Sequence, residues 1–313
     1  MKMTKFSFAV LLLSSALFMF SCKKNSDTTD SDTSGASDNA LAENTSNDVV
    51  AIGSQAADGG SLSTARLGDG SDNVLSCASV VRDTGAKTVT VTFNGNTCFD
   101  GRTRSGTIIF NFSQSAANSV HYRDPGFKCA VSFNNYTVDG NQITNTSTHT
   151  IENITNGDNP VGYNPATTNE TWSITANMSI VKANNAGTVS WTCSRTKTLL
   201  NTSTTCRDSD FVNFPANDNV PIDWPNARVG IMGNASGTRA NGETFTVTIN
   251  TQLVRDFGSC SIGLKHPFIL GTLQYAPSGK PIRYVDYGAP NNGQCDLIAA
   301  VTINGHTYDI TLP

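Results

Sequence analysis

The chain has 313 residues, only 15% of them charged, and a formal net charge of -4. That balance offers no basic field for a nucleic-acid backbone and excludes nucleic acid as a main partner. The length suits one large domain or two small ones, and eight cysteines point to a compartment in which disulfides persist.

The first element is a leader. Lys2 and Lys5 precede an apolar run from Phe6 to Phe20, and Ser21 stands before Cys22. The run is too short to span a bilayer comfortably, and a small residue directly before a cysteine reads as a processing site. The stretch resembles a bacterial lipobox, departing from it in the bulk of Met19 and Phe20. The resemblance implies that residues 1–21 are a lipoprotein signal peptide and that Cys22 is lipidated, tying the mature chain to a membrane. The alternative is an ordinary secretory signal with an incidental cysteine.

Residues 22–61 hold Ser, Thr, Asp, Asn and Ala with almost no large apolar side chain, and Asp27, Asp30, Asp32, Asp38, Glu43, Asp48 and Asp58 outnumber Lys23 and Lys24. Such a segment cannot bury enough surface to offset chain entropy, which predicts a disordered acidic linker with at most one helical turn about Leu41. Acidic residues soon after a lipidated cysteine resemble the signal that carries Bacteroidota lipoproteins to the outer face of the cell. Asp27-Thr28-Thr29 resembles the acceptor pattern for O-glycosylation in that phylum, which makes Thr28 a candidate site.

Residues 62–313 read as a single elongated all-β domain. From Leu75 onward apolar side chains recur at every second position: Val89, Val91 and Phe93; Ile108, Phe110 and Phe112; then Trp172, Ile174, Ala176, Met178 and Ile180. That period belongs to half-buried strands, apolar inward and Thr/Ser/Asn outward. The alternation slips between Phe133 and Tyr136, which predicts a β-bulge near Asn134-Asn135. Asp139-Gly140, Asn241-Gly242 and Asn304-Gly305 supply the positive φ angles of tight hairpins, and Ser278-Gly279 does so less strongly. The expectation is an antiparallel meander of many hairpins forming a β-sandwich or a curled, barrel-like sheet. No segment after the leader carries a helical stripe. Residues 199–226 interrupt the rhythm with Pro215, Pro221 and Pro225, a long loop and a candidate lobe boundary.

The lipobox, Cys98-Phe-Asp-Gly-Arg-Thr-Arg-Ser-Gly-Thr-Ile-Ile, Asn135-Tyr-Thr-Val-Asp-Gly, and the ending from Cys295-Asp to Asn304-Gly-His-Thr-Tyr-Asp-Ile-Thr-Leu together resemble a group of Bacteroidota lipoproteins of unassigned function. The resemblance implies an outer-membrane, lipid-anchored protein facing the cell exterior. It brings no catalytic residues with it.

Chemical motifs are sparse. His121, His149, His266 and His306 are scattered, and no C-x-x-C or H-E-x-x-H occurs. Ser236, in Gly233-Asn-Ala-Ser-Gly, sits one place too late for a nucleophile elbow and reads as a strand serine. Asp69 with Asp72, and Asp208 with Asp210, offer oxygens to calcium, but neither pair completes a twelve-residue loop, and Asx-turns account for them better. No cofactor is implied. Trp172 and Trp191 belong to the core by parity, whereas Trp224, beside Asp223 and Pro225, is the candidate glycan contact. Arg195 and Lys197 continue the face of Val189, Trp191 and Cys193, which predicts that this face leaves the core there. Disulfide candidates are Cys77 with Cys98, Cys260 with Cys295, and Cys193 with Cys206; Cys193 is alternatively a buried thiol or a partner of Cys129.

Three function classes fit this inventory. The first is a membrane-anchored binding or structural module that contacts a glycan or a cell-surface protein and performs no turnover. The second is a polysaccharide-active hydrolase whose site is assembled from loops. The third is a carrier of lipid or another apolar ligand, which requires a curled sheet with an unfilled interior.

Overall fold

The computed structural model describes residues 30–57, 77–98, 100–116, 119, 122, 124–158, 169–200, 227–257, 260, 267–289 and 292–312. Residues 31–313 form one compact unit. Among the described residues it holds one helix of any length, α1 (Ser34–Ala57), and fourteen strands.

The first strands are β1 (Ala78–Asp83), β2 (Thr88–Thr97), β3 (Thr103–Asn111), β4 (Lys128–Val138), β5 (Asn141–Asn145), β6 (Thr150–Asn153) and β7 (Thr171–Val181). Then follow β8 (Thr188–Leu199), β9 (Arg228–Thr238), β10 (Thr244–Asp256), β11 (Leu270–Pro277), β12 (Arg283–Asp286), β13 (Ile298–Ile303) and β14 (His306–Thr311). They make a single antiparallel meander in which sequence neighbours are hydrogen-bonded in order, except that β5 and β6 each bridge β4 to β7. The all-β meander expected from the alternation is therefore present, as one sheet. The long interval after β8 is not a lobe boundary, because β8 and β9 pair continuously from Ser190–Thr238 to Leu199–Val229.

The alternation works as the sequence implies. On β7 the buried positions are Trp172, Ile174, Ala176, Met178 and Ile180, and on β8 they are Val189, Trp191, Cys193, Arg195, Lys197 and Leu199. Turn chemistry follows too. Asp139 and Gly140 have φ of 50° and 77°, and Asn304 and Gly305 have 49° and 82°, the left-handed pair a two-residue hairpin needs. The bulge in β4 falls at Asn135, whose φ is 49°, where the register with β3 slips between Ser105/Thr137 and Thr107/Asn134. Gly106 faces it at φ 82°, and a Cβ there would collide with the Asn135 backbone. Further slips in β10, between Ile249 and Val254, add local bend and twist, the devices by which a wide sheet coils.

The sheet coils around α1, the largest departure from expectation. Residues 34–57 fall inside the segment predicted to be a disordered linker, yet Ala42, Thr45, Val49, Ile52, Ser54 and Ala56 are fully buried. Two physical reasons conceal this helix in the sequence. It is enclosed on most sides, so it needs no amphipathic stripe. It is also built from small and polar side chains, because the space inside the sheet is narrow and lined with charges. Gly53 shows the tightness: a Cβ there would lie 2.7 Å from the Phe110 ring on β3. At its other end, the Asp32 carboxylate accepts a hydrogen bond from the Ser34 N–H at 3.1 Å and helps start the helix.

Candidate functional site

The interior between α1 and the sheet is the most chemically distinctive region of the described chain. Asp38, Glu43 and Asp48 recur every five residues, a step of about 140° around a helix, so they point to different parts of the surrounding sheet. Asp38 accepts from Lys182 Nζ at 2.6 Å, after β7, and from Arg239 Nε at 3.0 Å, after β9. Glu43 takes a two-pronged contact from Arg195 on β8, Nη2 to Oε2 at 2.7 Å and Nε to Oε1 at 3.2 Å. Asp48 receives Arg104 of β3 at 2.5 and 3.2 Å, with Arg102 at 3.4 Å and the Tyr136 hydroxyl at 3.4 Å. Polar neighbours on the helix extend the pattern: Trp191 Nε1 donates to Asn39 Oδ1 at 3.0 Å and Arg255 Nη2 to Asn44 Oδ1 at 2.8 Å.

Electrostatics here are decided by competition between burial and pairing. Burial alone would raise the pKa of Asp48, but the Arg102 and Arg104 charges outweigh it and hold the carboxyl below its ordinary value. Burial would likewise lower Arg104 and Arg195, and their carboxylate partners reverse the direction in both. Asp100 is bound to the same Arg104, at 2.5 Å, so two carboxylates do meet in the fold. They meet on a guanidinium. A general acid needs a carboxyl whose proton is retained near neutrality, and this environment does the opposite at Asp48.

Lys197 and Arg195 correct an expectation. The face of β8 does not leave the core at these residues, since Arg195 is 3% and Lys197 6% exposed. Both remain inside because α1 supplies polar partners and the sheet supplies aromatic rings. The Lys197 ammonium lies 5.6 Å from the Trp172 ring centroid and 5.9 Å from that of Tyr122, and those two rings stack at 4.9 Å. Burial, joined by repulsion from Arg255, brings Lys197 down to about 7. Arg255 itself sits 4.6 Å over the Phe268 ring, and burial brings it to about 10 against the pull of Glu43.

Beside the C-terminal half of α1 lies a small apolar recess lined by Gly53, Val89, Phe110, Phe112, Tyr122 and Cys129, among others, with only about 10 Å³ of free space. That is far below the roughly 300–1,000 Å³ of small-molecule sites.

Cys77 is bonded to Cys98 and Cys260 to Cys295, with Cα separations of 4.8 and 5.0 Å. Cys193 pairs with neither Cys129 nor Cys206. It is a free, buried thiol on the inner face of β8, packed under α1 within reach of Ser46 and Glu43, and burial pushes it up to about 12. Cys129 is also free and buried. Trp172 and Trp191 are core, at 0% and 1% exposed. Ser236 faces outward from mid-strand, between Thr192 and Thr246. Of the histidines, His149 is buried and His306 is exposed at the start of β14. Cys22, Thr28, Asp69, Asp72, Cys206, Asp208, Asp210, Trp224, His121 and His266 lie outside the described residues. Among the described residues, no group of three His, Cys, Asp or Glu side chains stands close enough to hold a metal ion. No described helix is long and apolar enough to cross a membrane.

The ion-paired interior was missed by sequence reasoning because it needs α1. The one usable signal was the five-residue recurrence of acidic side chains in an otherwise uncharged stretch, set against arginines at inward-parity strand positions. Fold and interior together define an open antiparallel sheet wound on a buried, acid-bearing helix. Comparison with known protein families, with curated proteins and with solved structures returns no match.

Proposed function

We propose that this chain is a lipid-anchored module displayed at the cell surface, acting by contact with a glycan or another surface protein rather than by turnover. The observation that carries the reading is the position of α1: it begins twelve residues after Cys22 and is clamped into the sheet by Asp38, Glu43 and Asp48. An acyl chain on Cys22 is thereby coupled to the folded body through buried ion pairs, an arrangement suited to bearing load. It also sets the reach. Twelve residues extend to at most roughly 43 Å, a shorter maximum reach than a linker ending at residue 61 would permit.

The other classes receive less support. A hydrolase would draw on carboxylates open to a substrate, whereas Asp38, Glu43, Asp48 and Asp100 are buried and each engaged by a guanidinium or ammonium group. A carrier would need the interior that α1 fills.

The test has three readings on intact cells and purified protein. The mature chain is expected to partition into detergent and to lose that property in Cys22→Ser, because stable anchoring depends on the acyl chains. Protease added to intact cells is expected to remove the body. Pooled host and cell-wall glycans are expected to yield no product. Unchanged partitioning of the variant, or hydrolysis abolished by substituting one carboxylate, overturns the reading.

A further inference from the structure

We infer that the groove filled by α1 is also an interface between copies of this chain: the α1 of one molecule can occupy the sheet of a second, giving a reciprocally exchanged dimer. This goes beyond the anchored-module reading and does not depend on it.

Three observations point to a second copy as the occupant. The first is complementarity. The groove presents Lys182 with Arg239, Arg195, and Arg102 with Arg104, and α1 meets them in turn with Asp38, Glu43 and Asp48. Three carboxylates about 140° apart fix both the rotation and the depth of a helix, since sliding by one turn would strand all three buried guanidinium sites. Shape adds to charge: Gly53 admits Phe110, and Asn39 meets the Trp191 indole. The groove therefore selects this helix, and each further copy carries the same one.

The second is the connection. α1 joins the sheet in sequence only through residues 58–76, and its last turn lies beside β1, where Arg82 Nη2 donates to the Ala56 carbonyl at 2.8 Å. A helix of 24 residues is about 36 Å long. The chain from Ala57 to Cys77 has a contour length of roughly 65–70 Å. It is long enough for the helix to be withdrawn over its full length and seated in a neighbour without breaking a strand.

The third is the seam. β1 and β14 end the strand order and are not hydrogen-bonded to each other among the described residues, so the sheet is open along one side. The C-terminal end of α1 lies at the edge strand β1, where Ala56 accepts from Arg82, while just before its N-terminal end the Asp32 carbonyl accepts from Arg283 Nε of β12, two strands in from β14, at 3.4 Å. Every α1 contact is reproduced in the exchanged dimer, which is why exchanging an identical element is a low-cost route to association. On a membrane, where copies are concentrated in two dimensions, exchange would link each anchor to a neighbour's body.

The test uses the mature chain with Cys22→Ser, so that acyl chains cannot cause association. Ser46→Cys places a thiol close to Cys193, since the Ser46 side chain lies within reach of that thiol. Isotopically heavy and light copies are refolded together at high concentration and oxidised, and the peptide joining position 46 to Cys193 is read by mass spectrometry. Exchange predicts covalent dimers in which about half of these crosslinks join a heavy to a light chain. Crosslinks confined to chains of one isotope at every concentration overturn the inference. A second arm holds if that substitution perturbs folding. Glu43→Arg and Arg195→Glu each face a like charge within their own chain, whereas an exchanged heterodimer restores opposite charges in both grooves. An equimolar mixture is expected to fold as a dimer when co-refolded; a mixture that behaves as the sum of the separate variants also overturns it.

Discussion

Glu43 and Arg195 face each other as a two-pronged ion pair with side chains only 3% and 2% exposed, one on the central turn of α1 and the other on β8. Removing one partner of a buried pair leaves an uncompensated charge, a cost of about 3–5 kcal/mol, whereas replacing both with apolar groups of similar volume is often neutral. Glu43→Ala is therefore expected to lower unfolding stability by about that amount. The double variant Glu43→Leu with Arg195→Met is expected to recover most of the loss. Urea unfolding of the parent, the Glu43→Leu and Arg195→Met single variants and the double variant, arranged as a double-mutant cycle, measures the coupling.

Gly53 tests how closely α1 is held. Alanine is the better helix former by about 1 kcal/mol, so in an unenclosed helix Gly53→Ala would stabilise. Here the added Cβ would lie 2.7 Å from the buried Phe110 ring, and overpacking of that kind costs about 1–3 kcal/mol. The expected outcome is net destabilisation, larger for Gly53→Val, and partial rescue by Phe110→Leu. Thermal unfolding checks the sign.

His149 gives the chain an acid sensitivity. It is 2% exposed, its ring packs edge-on against Phe133 at 5.8 Å, and neither ring nitrogen has a hydrogen-bond partner among the described residues. Burial lowers it to about 4 from an ordinary 6.5. The unfolded chain therefore binds a proton at higher pH than the folded one. The stability contributed is complete above pH 6.5 and is lost as pH falls through 4, in total about 3 kcal/mol. His149→Phe is expected to flatten the stability profile between pH 6.5 and 4 while leaving the value at pH 8 little changed. Denaturant midpoints across that range read it directly.

Lys197 works on the alkaline side. Its folded value of about 7 lies below the ordinary 10.5, so its contribution is complete above pH 10.5 and falls away as pH drops toward 7. Lys197→Met keeps most of the volume between Trp172 and Tyr122 and removes the charge. The variant is expected to be more stable than the parent below pH 7, with the difference shrinking toward pH 10. A variant less stable at every pH would show that the ring contacts of the ammonium outweigh its burial.

Strand positions were legible from residue identity because the signal is local: a period of two places Trp172, Ile174 and Met178 on one face whatever lies opposite. Hairpins at Asp139-Gly140 and Asn304-Gly305 were legible for the same reason, since a backbone that needs positive φ selects its own residues. Even the slip at Asn135 could be seen as a change of parity. By contrast, α1 was invisible. Its Asp38, Asn39, Glu43, Asn44 and Asp48 read as solvent-seeking, and the partners that justify burying them lie tens to hundreds of residues away.

Short-range sterics and alternation set the strand-rich meander, the tight turns at Asp139-Gly140 and Asn304-Gly305 and the parity of the apolar strand positions, and all of these can be read from residue identity. What the sheet coils around depends on long-range packing instead. Once Arg104, Arg195 and Arg239 point inward, the coiled sheet needs carboxylates in its interior, and the one segment that supplies them at matching intervals is drawn out of the acidic N-terminal stretch and folded into a helix. Desolvated charges are tolerable when paired and very costly when not, and that long-range condition is written in no single window of the chain.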